Sequence, residues 1–358
     1  MWDLAVREDD YRGAEEMVQR MSRPPLSMRV LLTFASGDTA KRASIVEEAR
    51  GFDSFQSQIG GRFVATFLED FAAAESLARL DLAERRRAPI RINAQIFIAW
   101  LEVARGRWSA ARTAFTDAEA MPEGQSTLYQ RAIAASLPFL NTPRADMEAI
   151  RAELAGMNPG AESSDPGSPL SVRLQPHLRL YLLALLSSGI GDFTAATRFV
   201  SEMERLPVPG EARDVVRGLA LTVRADAAIR GGAPAPTLDI TPGDIPLELV
   251  SVPLFANVRE FTLEHARLVR VTQLIANGDF TSALQAIETG FQGSPEEFVL
   301  LAPLHEQRAR IHEQLGERQK AIESYRRFVR LWGDADPALQ ARVEAARAAI
   351  RRLEQSGD

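Results

Sequence analysis

The chain has 358 residues, 46% hydrophobic and 25% charged, with no cysteine and a formal net charge of −6. The absence of thiols excludes disulfides, thiolate metal sites and cysteine nucleophiles, and the acidic balance argues against a dedicated nucleic-acid binder, which would present a basic face. Met1-Trp2-Asp3-Leu4 has neither the basic nor the apolar segment of a secretory signal, and the most apolar run, Leu178 to Leu186, is broken by Arg179 and far too short for a bilayer span, so a cytoplasmic location is favoured.

From its start the chain repeats one short pattern. Degenerate copies come first: Asp9-Asp10-Tyr11-Arg12-Gly13-Ala14, the fainter Gly37-Asp38-Thr39, and Glu69-Asp70-Phe71-Ala72-Ala73-Ala74. A fuller copy runs from Leu101 to Ala111, where Gly106 is followed by Trp108 and Ala111. Residues 124–157 are predicted as two helices, the second from about Arg144 to Met157. Residues 158–170, rich in Pro, Gly and Ser, read as a flexible linker. A strongly apolar helix covers about Pro176 to Gly189, and Gly191-Asp192-Phe193-Thr194-Ala195-Ala196 follows it. Residues 211–230 form a helix ending at Gly231-Gly232, and residues 233–250, with four prolines and no helical period, interrupt the array. Gly278-Asp279-Phe280-Thr281-Ser282-Ala283 and Leu315 to Ala321 complete the copies. Residues 337–355, apolar on one face and rich in Arg and Glu on the other, are expected to form the polar-faced helix that caps such an array.

Each feature of the pattern has a mechanical cause. A helix ends at a small or polar residue whose left-handed backbone closes it. The aromatic two residues on folds back between two antiparallel helices. The alanine five residues on lets the second helix approach the first, since axes only about 8–10 Å apart leave little room for a larger side chain. Residues 1–157 are thus expected to form N-terminal repeats and residues 171–358 C-terminal ones. In this register Met1 falls partway along a first helix, which predicts a truncated first repeat and a chain that is a piece of a longer polypeptide. The short arginine clusters (Arg85-Arg86-Arg87, Arg326-Arg327, Arg351-Arg352) sit among carboxylates and read as solvated helix faces.

The pattern resembles the tetratricopeptide repeat, which places small residues near repeat positions 8 and 20 and aromatics near 11, 17 and 24. Setting Gly316 at position 15 puts Ala309 at 8, Ala321 at 20 and Tyr325 at 24. Setting Gly106 there puts Ala99 at 8, Trp108 at 17, Ala111 at 20 and Phe115 at 24. The resemblance implies an all-α fold, an irregular α-α superhelix of antiparallel helix pairs with a concave groove. The C-terminal third is also similar to the C-terminal helical region of large bacterial serine/threonine kinases and related signalling regulators. The similarity lies in Asp244 to Leu249, Ser251 to Phe255, Leu301 to His305, Tyr325 to Trp332 and Asp334 to Pro337. It implies a sensory or scaffolding role, with a signalling domain upstream in the same polypeptide, where any membrane anchor would also lie.

No kinase glycine loop, catalytic-loop Asp or Walker-type phosphate loop is present, so no enzyme is expected and no cofactor is implied. His305 and His312 lie two turns apart on one helix, roughly 10 Å along its axis, too far for one metal ion without other ligands. His177 and His265 read as ordinary polar or half-buried residues. In the repeat register Asn93, Ile96, Trp100, Tyr181, Leu185, Leu268, Thr272, Glu306 and Arg310 face the groove, and Trp, Tyr and Arg are the residue types that anchor interfaces. The expected function is the binding of a protein or peptide partner in that groove. Two alternatives stand beside it: self-association into a homo-oligomer through the open first repeat or the apolar helix at 176–189, and sensing of a small ligand near 233–255.

Overall fold

The computed structural model describes residues 5–6, 8, 10–52, 54–157, 167–238, 264–290 and 297–355, which form α-helices joined by short connections, with no strand among them. In chain order these are α1 (Tyr11–Gln19), α2 (Leu26–Ala35), α3 (Thr39–Gly51), α4 (Gln56–Phe67), α5 (Phe71–Leu80), α6 (Ala88–Ala104) and α7 (Trp108–Ala120). There follow α8 (Leu128–Ser136), α9 (Arg144–Gly156), the one-turn α10 (Leu170–Arg173), α11 (Gln175–Gly189), α12 (Phe193–Arg205) and α13 (Arg213–Arg230). The last are α14 (Glu264–Ala276), α15 (Phe280–Gly290), α16 (Leu301–Gln314), α17 (Arg318–Trp332) and α18 (Pro337–Gln355). The chain is all-α. Most of the predicted linker at 158–170 and of the interruption at 233–250, the segments 244–249 and 251–255, and Met1 to Leu4 lie outside the described residues.

Six helix pairs share one connection of three residues. Its central residue has positive φ: Gly37, Gly106, Gly191, Gly278 and Gly316 between +71° and +82°, and Glu69 at +54°. At Gly106, Gly191, Gly278 and Gly316 the helix before it ends in a 6→1 and 5→2 pair of backbone bonds, as where Asp192 N–H reaches Ser187 O and Gly191 N–H reaches Ser188 O. In four of these turns the third residue is an Asp that caps the next helix. Asp38, Asp70, Asp192 and Asp279 accept from the first-turn amides of Ala40 and Lys41, Ala73, Ala195 and Ser282 at 2.9–3.1 Å. The anchor alanines Ala14, Ala74, Ala111, Ala196, Ala283 and Ala321 are all buried.

Contacts divide the chain into two compact units, neither continuous in sequence. The first comprises Met1–Ser126, Gln292–Ala309 and Ile322–Asp358; the second comprises Thr127–Phe291 and Arg310–Ala321. The repeat spacing suggests successive blocks, 1–157 and 171–358, whereas packing groups the first third of the chain with its last helices.

In the first unit α2 packs on α4, α4 on α5, α5 on α6, and α6 on α7. The short turn Glu297–Val299 inserts against α4 and α6, with Phe298 fully buried and edge-on to Phe71 and Phe97, centroids 6.3 and 5.6 Å away. In the second unit α11 is central, packed by α8, α9, α12 and α13, and every residue from 180 to 188 is buried. The apolar helix that suggested self-association is therefore covered by its own unit. The turn aromatics divide likewise: Phe71 and Trp108 are buried in the first unit, while Phe193 in the second stays 36% exposed, its ring edge over Gly231.

One arginine of the expected solvated cluster is a core residue. Arg86 is buried and donates to Ala49 O at 3.1 Å, Arg50 O at 3.2 Å and Phe52 O, closing the end of α3, and it lies 3.4 Å from the fully buried Asp81. Asp81 also accepts from Ser57 Oγ at 2.7 Å and Gln58 Nε2 at 3.2 Å. Arg86 serves the free carbonyls that every helix leaves at its end, a demand that residue spacing does not display.

A β-carbon on Gly106 would come within 2.9 Å of Leu339 Cδ1 and 3.0 Å of Ala335 Cβ, while one on Gly191 would meet nothing within 4 Å, although both residues have positive φ. Gly191→Ala is expected to cost about 1 kcal/mol, the left-handed penalty alone. Gly106→Ala should cost at least about 1 kcal/mol more, because overpacking is added to it. Urea unfolding of Gly106→Ala is followed by tryptophan fluorescence, since every tryptophan lies in the first unit, and that of Gly191→Ala, in the second, by circular dichroism.

Candidate functional site

The nine residues placed in a groove by register separate by environment. Tyr181 is fully buried, Leu185 and Leu268 nearly so, and Trp100 is 8% exposed and edge-on to Phe115 at 5.7 Å. Glu306 is buried and bonded to Arg342 of α18, whose Nε is 3.1 Å from Glu306 Oε2. Asn93 and Ile96 are half-buried on α6, and Thr272 and Arg310 are exposed. Asn93, Trp100 and Glu306 belong to the first unit, and Tyr181, Thr272 and Arg310 to the second.

Arg310 lines a cavity. An open hollow of about 310 Å³ in the second unit is bounded by Ile275, Phe280, Arg310, Ile311, Glu313 and Gln314. It lies where the end of α14 and the start of α15 meet the end of α16. Ile275 and Phe280 are half-buried. The hollow thus offers an apolar floor with one cationic and one anionic wall. Beneath it His312 is buried, its Nδ1 at 2.6 Å from Glu317 Oε2, and Lys320 pairs with the same carboxylate at 3.0 Å. Those two hydrogen bonds, from Lys320 first and then His312, hold the Glu317 carboxyl below its usual range.

The first unit is locked at the α6–α7 turn. Arg107 stands where four of the other turns have a capping Asp, and its side chain caps nothing. The cap comes instead from Asp336, which accepts from Ser109 N–H at 3.2 Å and lies 3.3 Å from Ser109 Oγ. Asp336 N–H donates to Gly106 O at 3.0 Å, and the fully buried Trp332 donates its indole N–H to Ala104 O at 2.9 Å. Arg342 lies over the Trp332 ring, 4.9 Å from its centroid. The Asp336 and Trp332 hydrogen bonds join residues more than 220 positions apart, and sequence periodicity gave no sign of them.

A second lock sits at Glu69. Its carboxylate accepts from His305 Nε2 at 2.7 Å, lies 3.6 Å from Arg327 Nη1 and pairs with Arg330. His305 Nδ1 faces Arg308 Nη1 at 3.3 Å, which fits a neutral ring carrying its proton on Nε2. Burial works to raise the Glu69 pKa, but the His305 hydrogen bond and the charges around it hold it at about 2.

Two buried groups complete the second unit's chemistry. Asp226 accepts from Ser188 Oγ at 2.6 Å and Arg230 Nε at 2.9 Å, with His265 Nε2 at 3.8 Å. Against the upward push of burial, His265 with Arg230 and Ser188 holds its carboxyl at about 2. Neither ring nitrogen of the buried His177 has a hydrogen-bond partner, and burial pushes its pKa down to about 4. Among the described residues no three or more His, Asp or Glu side chains gather in a way that could hold a metal ion, and no helix is long and apolar enough to cross a membrane. No family model, curated protein or solved structure matches the chain.

The Asp336 cap sets one expected outcome. Asp336→Ala should destabilise the first unit by about 1 kcal/mol, and Asp336→Asn, an equally good capping residue, should restore most of it. Both are read as shifts in the fluorescence-detected urea midpoint. His177 sets another. Between pH 6.5 and about 4 the unfolded chain takes up a proton that the native ring refuses, so stability falls as pH falls through that window. The full fall is about 3 kcal/mol, since each tenfold loss of proton affinity is worth about 1.4 kcal/mol. Asp226 and Glu69 lose their contribution as pH falls from about 5 toward 2, and the lowered pKa of His305 acts in the same direction as that of His177, so the His177 part is read as the difference between wild type and variant. His177→Leu should flatten the pH dependence of circular-dichroism unfolding between about pH 6.5 and 4.5.

Proposed function

We propose that this chain is a non-catalytic interaction module, a tetratricopeptide-like array that holds a protein or peptide segment at the hollow walled by Arg310. The observation that carries this reading is the placement of Arg310. It is exposed and set beside half-buried apolar side chains, Ile275 and Phe280. Such a combination suits an apolar side chain on the floor with an acidic group against the guanidinium. Thr272, one turn before Ile275 on α14, extends the same face. Tyr181 and Glu306 play no part in this reading, because one is enclosed in a core and the other is held by Arg342.

The six left-handed turns and their buried alanines support the tetratricopeptide-like reading, since they are what antiparallel helix pairs at close approach require. The resemblance to the C-terminal region of bacterial signalling kinases supports a sensory or scaffolding role in the cytoplasm, with the partner either a separate protein or another domain of the same polypeptide.

The test is affinity for a partner recovered with the full chain. Arg310→Glu and Ile275→Asp should each weaken binding at least about tenfold, or about 1.4 kcal/mol. Trp100→Phe, in the other unit, should leave it within about twofold, well under that 1.4 kcal/mol. Unchanged affinity in both hollow variants, measured by calorimetry on folded protein, would remove the hollow as the binding site.

A further inference from the structure

Of the six three-residue turns, five carry glycine at their left-handed centre and one carries Glu69, at φ +54°. A side chain in that conformation costs about 1–2 kcal/mol, which glycine would avoid, and such strain persists only where its surroundings enforce it. What surrounds Glu69 is a convergence of donors within the first unit. His305, 3% exposed, presents Nε2–H at 2.7 Å, Arg327 Nη1 lies at 3.6 Å, and Arg330 pairs with the second oxygen. Arg308 supports the other face of the imidazole and so fixes which nitrogen carries the proton. The Arg327 and Arg330 side chains are 45% and 61% exposed, so the site opens to solvent on their side although its floor is buried. Glu323, 3.0 Å from Arg327, is the second carboxylate paired there.

We propose that His305, Arg327 and Arg330 form a binding site for a phosphoryl group, as a monoester or the free ion, with Glu69 as its built-in and displaceable occupant. The chemistry selects phosphate over another carboxylate. A tethered carboxylate has a high effective concentration, which a free monoanion of the same kind cannot overcome. A phosphoryl group brings a charge of about −1.5 to −2 and three acceptor oxygens. Those oxygens match three donor groups, and guanidinium forks suit their geometry. The site lies in the first unit and is independent of the hollow at Arg310.

The test uses the full chain, inorganic phosphate as the probe, and the histidine ring resonances as the readout, with chloride balancing ionic strength. The His305 ring, assigned by its loss in His305→Gln, should shift saturably with millimolar phosphate. Glu69→Gly, which keeps the turn and removes the occupant, should bind about tenfold more tightly, equivalent to about 1.4 kcal/mol. Arg327→Ala with Arg330→Ala should abolish the shift. N-acetyl-phosphoserine amide, run in parallel, separates the sources: binding tighter than inorganic phosphate assigns the site to a phosphorylated side chain, and weaker binding assigns it to the free ion. The proposal is overturned if the wild-type His305 ring does not move, or if the shift survives loss of both arginines. Should Glu69→Gly fail to fold, the wild-type titration decides alone.

Discussion

The backbone at Gly106 is approached so closely by Trp332, Ala335 and Leu339 that no side chain fits between them. That approach is what makes the first unit one body, because it joins α6 and α7 to a segment more than 220 residues further along. Three kinds of force meet there. The enclosed indole and its neighbours remove a large apolar area from water, worth several kcal/mol for a side chain of this size. The indole N–H and the Asp336 amide satisfy Ala104 O and Gly106 O, carbonyls that the end of α6 would otherwise leave bare. The Asp336 carboxylate serves the opposite need at the start of α7, where Arg107 cannot.

The same helix-pair design recurs along the chain, and the exceptions show what it must satisfy. Every turn needs a left-handed residue to close one helix and an acceptor to open the next. Where both come from the turn itself, as at Gly191 and Asp192, the pair is self-sufficient. Where one is missing, a distant residue supplies it: Asp336 provides the acceptor at Ser109. At Glu69 the glycine is missing instead, and His305 with two arginines holds the strained residue in place. Both exceptions fall in the first unit, so these departures from the repeat are points where the chain's last helices are fastened.

Charged residues follow environment and not composition. Arg86 and Asp81 are internal, answering the bare carbonyls at the end of α3 and the hydroxyl of Ser57. Glu306, spaced like a groove residue, is consumed by Arg342. Arg310, four residues on, keeps an exposed place beside Ile275 and Phe280. Two residues of one helix with the same expected orientation thus end in opposite circumstances, because what covers a helix face is chosen by the neighbouring chain.

The helices, their turns and their contact alanines are legible from residue order. Glycine or a capping aspartate at a fixed offset from a small residue is a local demand of backbone geometry, and local demands are written locally. Helices predicted at about 144–157, 176–189, 211–230 and 337–355 lie within two residues of those observed. The candidate site was legible only in part: periodicity gave the face of Arg310 and Thr272 but not the burial of Tyr181, Trp100 and Glu306. Long-range packing settles the rest: that residues 297–309 and 322–355 join the first third of the chain, that Asp336 caps α7, and that Glu69 meets His305. Those pairings depend on which surfaces come together across more than 200 residues, and a repeat, which makes its surfaces alike, carries no local mark of the partner that each one takes.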